Sequence, residues 1–442
     1  MMLWQPPLPS RYLEMTDDEL ARAITARRKQ LGSDLLILGH HYQQDSVIQH
    51  ADLTGDSLKL SQMAAEESVR RGVKWIVFCG VHFMAETADI LAPDDVAVIL
   101  PDLSAGCSMA DMAEYDDVVE AWEILSEVNA ESDEATERRS DDLDDSPCVP
   151  GRSTHPRALS LRGRGNGDSV RIIPITYVNS TAAIKAFVGE HGGACCTSTN
   201  ATEVFKWALS GGTQPRADDE VIKVIFLPDQ HLGRNTASKL GFVTEIDVAR
   251  DAARGTAQTH LWNPRKDRGG LTDDQIRSAD VYLWAGHCSV HKLFRPEHVD
   301  QAREAFNDAG GVTVLVHPEC VKEVVDKADL DGSTEYIIRT IRNAPAGSNW
   351  AVGTEHHLVQ RLAREAAKRG VNVRILSDCQ CLCTTMFRID PQHLLWTLDN
   401  LAEGKVVNQV KVNEKAAELA RLALDRMLAH VGVTPSLPAH VD

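Results

Sequence analysis

Nine short apolar runs rich in β-branched residues punctuate the chain: LLILG (35–39), WIVFCG (75–80), VAVIL (96–100), VRIIPIT (170–176), VIKVIFL (221–227), VYLWAG (281–286), VTVLV (312–316), WAVGT (350–354) and VRILS (373–377). Helical stretches separate them. Strands that alternate with helices, and that offer water no polar face, form parallel sheets covered on both sides. That places the chain in the α/β class. A helix leads in, because Thr16-Asp17-Asp18-Glu19 has capping-box spacing and Gly32 stands where that helix should end.

A chain of 442 residues, 43% of them hydrophobic, can fill the cores of two or three domains. None of its apolar runs approaches the roughly 18–20 residues that cross a bilayer, so no membrane partner is expected. The N-terminus lacks a basic start and an apolar core, so no secretory signal is expected and a cytoplasmic location is the default. In a reducing compartment the ten cysteines are thiols, metal ligands or catalysts rather than structural disulfides. A formal charge of −18 disfavours nucleic acid as a partner. Between 127 and 168 the apolar pattern stops and charge, Ser, Gly and Pro take over, which predicts a disordered insertion; Cys148 within it is incidental. The region 250–275 is also polar and is expected to be an irregular insertion or long loop.

Polar residues cluster just after the strands, where open α/β sheets bind ligands. Their order repeats. GHHY (39–42) is followed by TGDS (54–57), CGVHF (79–83) and LSAGC (103–107); TYVNS (176–180) by CTSTN (196–200), PDQHLGR (228–234) and WAGHC (284–288); VHPEC (316–320) by GSTEY (332–336), GTEHH (353–357) and DCQCLC (378–383). Residues 40 and 57 are 17 apart, as are 317 and 334, while 57 to 107 spans 50 residues and 334 to 383 spans 49. A weak threefold internal repeat follows. It divides the chain into α/β units at 1–108, 109–289 and 290–384, with a C-terminal helical segment, 385–442, packing back on the body. Three similar αβα sandwiches would then meet around one site with pseudo-threefold symmetry, each supplying a thiol.

Three thiols from three units, Cys107, Cys288 and Cys383, do not have the paired spacing of structural zinc, and an electron-transfer cluster takes four thiolates. Three would leave one iron of a [4Fe–4S] cluster without a protein ligand and free to act as a Lewis acid. Ser57, Ser198, Ser333 and Thr334 offer hydroxyls suited to carboxylates or phosphate, beside N–H groups at helix starts. His40, Tyr42, Tyr177, His317 and Glu319 could move protons.

The motifs GHHYQQDSVIQHADLTGDSLKLS, CGVHFMAETADILAPDDVAVILPDLSAGCSM, TYVNSTAAIKA, LPDQHLGRNTA, WAGHCSVH, LVHPEC, GSTEYII and CLCTTM resemble, in order, those of the quinolinate synthase family. The resemblance runs from about Leu35 to Ala429. It implies a transferase that condenses iminosuccinate, made from aspartate by a partner enzyme, with dihydroxyacetone phosphate, releasing phosphate and water in NAD biosynthesis. It also implies one [4Fe–4S] cluster held by Cys107, Cys288 and Cys383, with one open iron. His40, Ser57, Tyr177, Asn179, Ser198, His317, Glu319 and Thr334 fall on the family's substrate-binding positions. Tyr42 and Glu319 fall on its acid/base groups, and His317 and His40 are expected to orient substrate.

Two departures stand out. His41 occupies a place where the family commonly has an aromatic residue, and CxCxC replaces the CxxCxxC of some relatives. Cys379 and Cys381 are therefore expected to be spare thiols. Cys195 and Cys196 are expected in the core, as are Cys79 and Cys320. A hydro-lyase using the same open iron, and a non-enzymatic iron–sulfur carrier, are the alternative function classes.

Overall fold

Each of the nine apolar runs is a strand in the computed structural model, which describes residues 5–137, 169–378 and 381–430. The first sheet is built from β1 (Leu35–His40), β2 (Leu53–Gly55), β3 (Trp75–Cys79) and β4 (Ala97–Ile99), parallel in the order β2-β1-β3-β4. The second holds β5 (Ser169–Tyr177), β6 (Ala194–Cys196), β7 (Glu220–Leu227), β8 (Thr259–Trp262) and β9 (Val281–Trp284), parallel in the order β6-β5-β7-β9-β8. The third holds β10 (Thr313–Val316), β11 (Leu330–Asp331), β12 (Asn349–Gly353) and β13 (Asn372–Ile375), parallel in the order β11-β10-β12-β13. The same four-strand order thus recurs three times, with β8 added at the edge of the second sheet beside β9. β14 (Gln409–Val410) adds to the first sheet antiparallel to β4.

All six residues of β1 are buried, and Leu36, Ile37 and Leu38 are wholly so, as strands covered by helices on both faces require. The lead-in helix is Asp17–Leu31, with the Thr16–Glu19 capping box formed and Gly32 ending it at φ 57°. β2, β6 and β11 escaped the sequence reading because two or three residues at a sheet edge carry no periodicity.

Two regions differ from expectation. The helix Tyr115–Glu137 runs into the segment expected to be disordered, because Val118, Ala121, Leu125 and Val128 form one buried stripe at helical spacing. The remainder of that segment, 138–168, lies outside the described residues. The polar region 250–275 supplies β8 and, through a Thr272–Gln275 capping box, the helix Asp273–Ser278. Trp262 anchors it; a Cβ on Gly269, at φ +66°, would lie 2.2 Å from the Trp262 ring.

The C-terminal segment packs back on the body. The helix Pro391–Ala402 lies on Asp17–Leu31, and Glu414–Ala429 lies along Ala182–Glu190. With β14 on the first sheet, this segment joins the first sheet to the helices of the second.

Candidate active site

In the strand order 2-1-3-4 the chain steps from the first strand to one side and then to the other, which opens a crevice at the carboxyl end of the first strand. β1 ends on His40, β5 on Tyr177, and His317 directly follows β10. His40 and His317 share one local arrangement. Nδ1 of each accepts a backbone N–H two residues on, from Tyr42 at 3.1 Å and Glu319 at 3.3 Å. Their carbonyls accept the N–H three residues on, both at 3.0 Å. This pairing assigns the ring proton to Nε2. Burial, with help from neighbouring cationic groups, pulls both rings down to a pKa of about 3. They are neutral donors at ordinary pH, suited to a carbonyl, carboxylate or phosphate oxygen.

The second loops place hydroxyls at helix starts. Ser57 is the first residue of Ser57–Arg71, capped by Asp56, and Thr334 is the first of Thr334–Arg342, capped by Ser333. Ser198 lies in the turn before Ala201–Leu209. Backbone N–H groups and the positive end of the helix dipole favour anions there. Ser333 has another use, since its hydroxyl oxygen accepts the Tyr336 N–H.

The three thiol loops share a backbone arrangement. The helix after the third strand donates its first N–H to the carbonyl two residues before the cysteine: His82 to Ala105 at 2.8 Å, Gln230 to Gly286 at 3.0 Å and His356 to Cys381 at 3.1 Å. Each cysteine then opens a short turn, its carbonyl accepting the N–H four residues on, from Asp111, Lys292 and Phe387. Within each turn, backbone N–H groups also point at the sulfur, from Met109 and Ala110 to Cys107, from His291 to Cys288, and from Thr385 and Met386 to Cys383. Burial raises all three thiols, Cys107 to about 12. The N–H groups pull the other way by stabilising a thiolate, as metal-bound sulfur requires.

A buried hydrogen-bonded chain joins the two residues expected to move protons. The Tyr42 hydroxyl lies 3.0 Å from Thr354 Oγ1 and 3.1 Å from Thr334 Oγ1. Thr354 Oγ1 lies 3.1 Å from His291 Nε2, and His291 Nδ1 lies 2.7 Å from Glu319 Oε2. His291 also stacks on His317 with ring centroids 4.4 Å apart. Burial pushes the Glu319 carboxyl up, but the adjacent His291 and His317 and hydrogen bonds from His291 and Tyr177 hold it down at about 2. Burial and the Glu319 charge hold the Tyr42 phenol well above its ordinary value. Glu319 is thus an ionised acceptor and Tyr42 a neutral donor.

Of the residues singled out from the sequence as ligands, binding groups or acid/base groups, all but Ser333 line one cavity: Cys107, Cys288 and Cys383 with His40, Tyr42, Ser57, Tyr177, Asn179, Ser198, His317, Glu319 and Thr334. Asn179 Oδ1 is buried without a hydrogen-bond partner there. His41 turns away to a 3.0 Å contact with Glu335, a packing role. Cys79, Cys195, Cys196, Cys320 and Cys381 are fully buried in the core, while Cys148 and Cys379 lie outside the described residues.

The sequence reading passed over His291, Thr354, Asp229 and Glu355. The first stands three residues after Cys288 inside WAGHCSVH, and Asp229 inside PDQHLGR, so both lay in motifs already noticed. Asp229 Oδ2 accepts the Cys288 N–H at 3.1 Å, and burial raises its carboxyl well above the usual range. Burial likewise pushes Glu355 up to about 8. One ligand atom each from Cys288, His291 and Glu319 lie within 4.8 Å of one another, a group that could hold a metal ion. Its histidine and carboxylate are already bonded to each other, whereas the hydrogen bonds to the three thiols come from N–H and O–H donors.

Residues 22–429 match the family model described as quinolinate synthetase A protein. Among curated proteins, the quinolinate synthase of Acidobacterium capsulatum is 46% identical over 94% of both chains. That of Rhodopirellula baltica is 46% identical over 96% of this chain and 93% of its own. That of Corynebacterium glutamicum is 44% identical over 98% of this chain and 93% of its own.

Proposed function

The chain belongs to the quinolinate synthetase A family, a family of transferases that make quinolinate for NAD biosynthesis, and on that premise we propose that it condenses iminosuccinate with dihydroxyacetone phosphate, releasing phosphate and water. The observation that carries this reading is the single cavity, where three thiols, three helix starts and a proton-transfer chain face one another. Iminosuccinate would come from an enzyme that oxidises aspartate.

The chain's three sheets are taken as three α/β units, 1–108, 109–289 and 290–384, related by approximate threefold symmetry about the cavity, with 385–442 as a clasp. The repeated strand order and the three matching hydrogen bonds from a helix start to a carbonyl of the thiol loop support this.

Cys107, Cys288 and Cys383 would hold a [4Fe–4S] cluster. The donor set fits: three soft ligands in one cavity, each supplied with N–H groups that stabilise a thiolate. When bound, the cluster supplies an open iron as a Lewis acid for loss of a hydroxyl. The protein's own part is to bind, orient and move protons. Ser57, Ser198 and Thr334, with helix-start N–H groups, hold phosphate and carboxylate oxygens. His40 and His317 donate from Nε2 to substrate oxygens and orient the carbonyl. Glu319, ionised, accepts the carbon-bound proton when the ketone enolises. Tyr42 donates to the departing oxygen, and His291 and Thr354 pass a proton from the Glu319 side to recharge it. Asn179, with an unused buried acceptor, suits the imine N–H.

An anaerobic assay with both substrates tests this. Quinolinate should form, and Glu319→Gln should lower kcat by roughly 10²–10⁴-fold, the usual worth of a positioned base. Turnover of a hydroxy acid alone, without carbon–carbon bond formation, would favour the hydro-lyase instead. Cluster transfer to an apo-acceptor, undiminished by Glu319→Gln, would favour a carrier.

A further inference from the structure

The residue that caps the helix behind each thiol loop is Val81, Asp229 or Glu355. Capping alone does not require burial; Thr16 and Thr272 cap their helices from exposed positions. Asp229 and Glu355 are fully buried. One oxygen of each does the capping, Asp229 Oδ1 accepting Leu232 N–H at 2.7 Å and Glu355 Oε2 accepting Leu358 N–H at 3.1 Å. The other oxygen of Asp229 is turned to a thiol loop. Asp229 Oδ2 accepts the Cys288 N–H at 3.1 Å. Glu355 Oε1 is buried with no hydrogen-bond partner, and the nearby Cys383 N–H pulls its carboxyl down against burial. A buried carboxyl oxygen without a partner is costly, so it is kept where something depends on it. Glutamate is also a poor helix cap compared with Asp, Ser or Asn, so reach beyond the helix explains the choice. Val81 offers Cys107 no such acceptor; its helix starts without any side-chain cap.

We infer that Asp229 and Glu355 are positioning residues for the iron–sulfur centre, Asp229 tying the start of its helix to the Cys288 backbone and Glu355 bracing the Cys383 loop with its second oxygen, while the Cys107 loop has no carboxyl behind it. This rests on the reading of Cys107, Cys288 and Cys383 as the thiols that hold the centre. Two thiols are then set before iron arrives, and the third adjusts to close on it.

The test compares wild type with Asp229→Ala, Asp229→Asn, Glu355→Ala and Glu355→Gln, prepared anaerobically. Two quantities are read: the rate at which loaded protein yields iron to a chelator, and the alkylation rate of each cysteine in iron-free protein by peptide mass spectrometry. The alanine variants should release iron roughly tenfold faster, the order found for outer partners of metal ligands. Asp229→Ala should speed alkylation of Cys288, and Glu355→Ala that of Cys383, with Cys107 unchanged. The amide variants keep one acceptor oxygen and should recover part of both effects. Release rates within about twofold of wild type, or all three cysteines becoming reactive together, overturn the inference. Wild-type protein that takes up no iron overturns the thiol reading and the inference with it, whereas iron-bearing wild type beside unperturbed variants overturns the inference alone.

Discussion

Cys381 and Cys383 stand two residues apart, yet the fold separates their roles. Cys381 is fully buried among Val290, Val316 and Leu376, and its carbonyl takes the His356 N–H. Cys383 lines the cavity. Cys383→Ala should therefore lose its iron and all quinolinate formation, whereas Cys381→Ala should keep both and lose only core packing. Iron and sulfide analysis of the two proteins checks this. Equal iron in both, or loss in Cys381→Ala alone, would move the ligand assignment. At this scale much of the site was legible, because thiol, hydroxyl and imidazole residues recur at matched places after strands. What was not legible lies in pairings far apart in sequence. Asp229 meets Cys288 from 59 residues away and His291 meets Thr354 from 63 away, so no local spacing reports either.

The nine strands within the apolar runs were legible from composition alone, because buried parallel strands read as unbroken apolar runs. The edge strands and the extension of Tyr115–Glu137 were not, since an amphipathic stripe can hide in a strongly charged stretch. Arg361 on the helix His356–Ala367 donates to the Gln43 carbonyl at 2.7 Å and also to the His41 carbonyl, tying the loop after β1 to the third sheet's helices. The C-terminal helix Glu414–Ala429 meets Ala182–Glu190 at Gly189, where a Cβ would stand 1.9 Å from the Leu419 carbonyl oxygen. Arg426 also donates to the Gly189 and Gly193 carbonyls, at 3.1 and 2.6 Å. Gly189→Ala cannot be absorbed by a side-chain shift, because backbone blocks it. A loss of roughly 1–3 kcal/mol is expected by urea denaturation, the usual range for overpacking. A loss below a few tenths would mean the helix pair is loosely docked.

On the scale of the whole molecule, the charge of −18 and the buried histidines give opposing responses to acid. His40, His231 and His317 are each held down to about 3, chiefly by burial, against an unfolded value of 6.5. From about pH 6.5 to 5 the unfolded chain takes up protons at these sites and the folded one does not, so stability falls as pH falls. Each contributes up to about 1.4 kcal/mol per pH unit. His393 works the other way, since burial lowers it but Asp390 more than compensates. Burial also raises Asp229 and, to about 8, Glu355, and these gain stability as pH falls. The histidines outnumber them, so the urea midpoint of iron-free protein should be lower at about pH 5.5 than at 6.5, and a rise would mean that relief of self-repulsion and the protonated carboxyls dominate. Among the described residues no helix is long and apolar enough to cross a membrane. Nothing in the bulk charge pointed to chemistry; the chemistry became legible only through the order of loops, because three sheets of one strand order deliver their loops to one place.

The central claim is that three thiols from three sheets hold a cluster with one iron left open for substrate. The measurement that bears on it most directly is iron and acid-labile sulfide per chain in anaerobically purified protein, followed through graded removal of iron while quinolinate formation is assayed. About four irons and four sulfides per chain, with activity falling in step with their loss, is the result expected. Full activity in protein free of iron would contradict it.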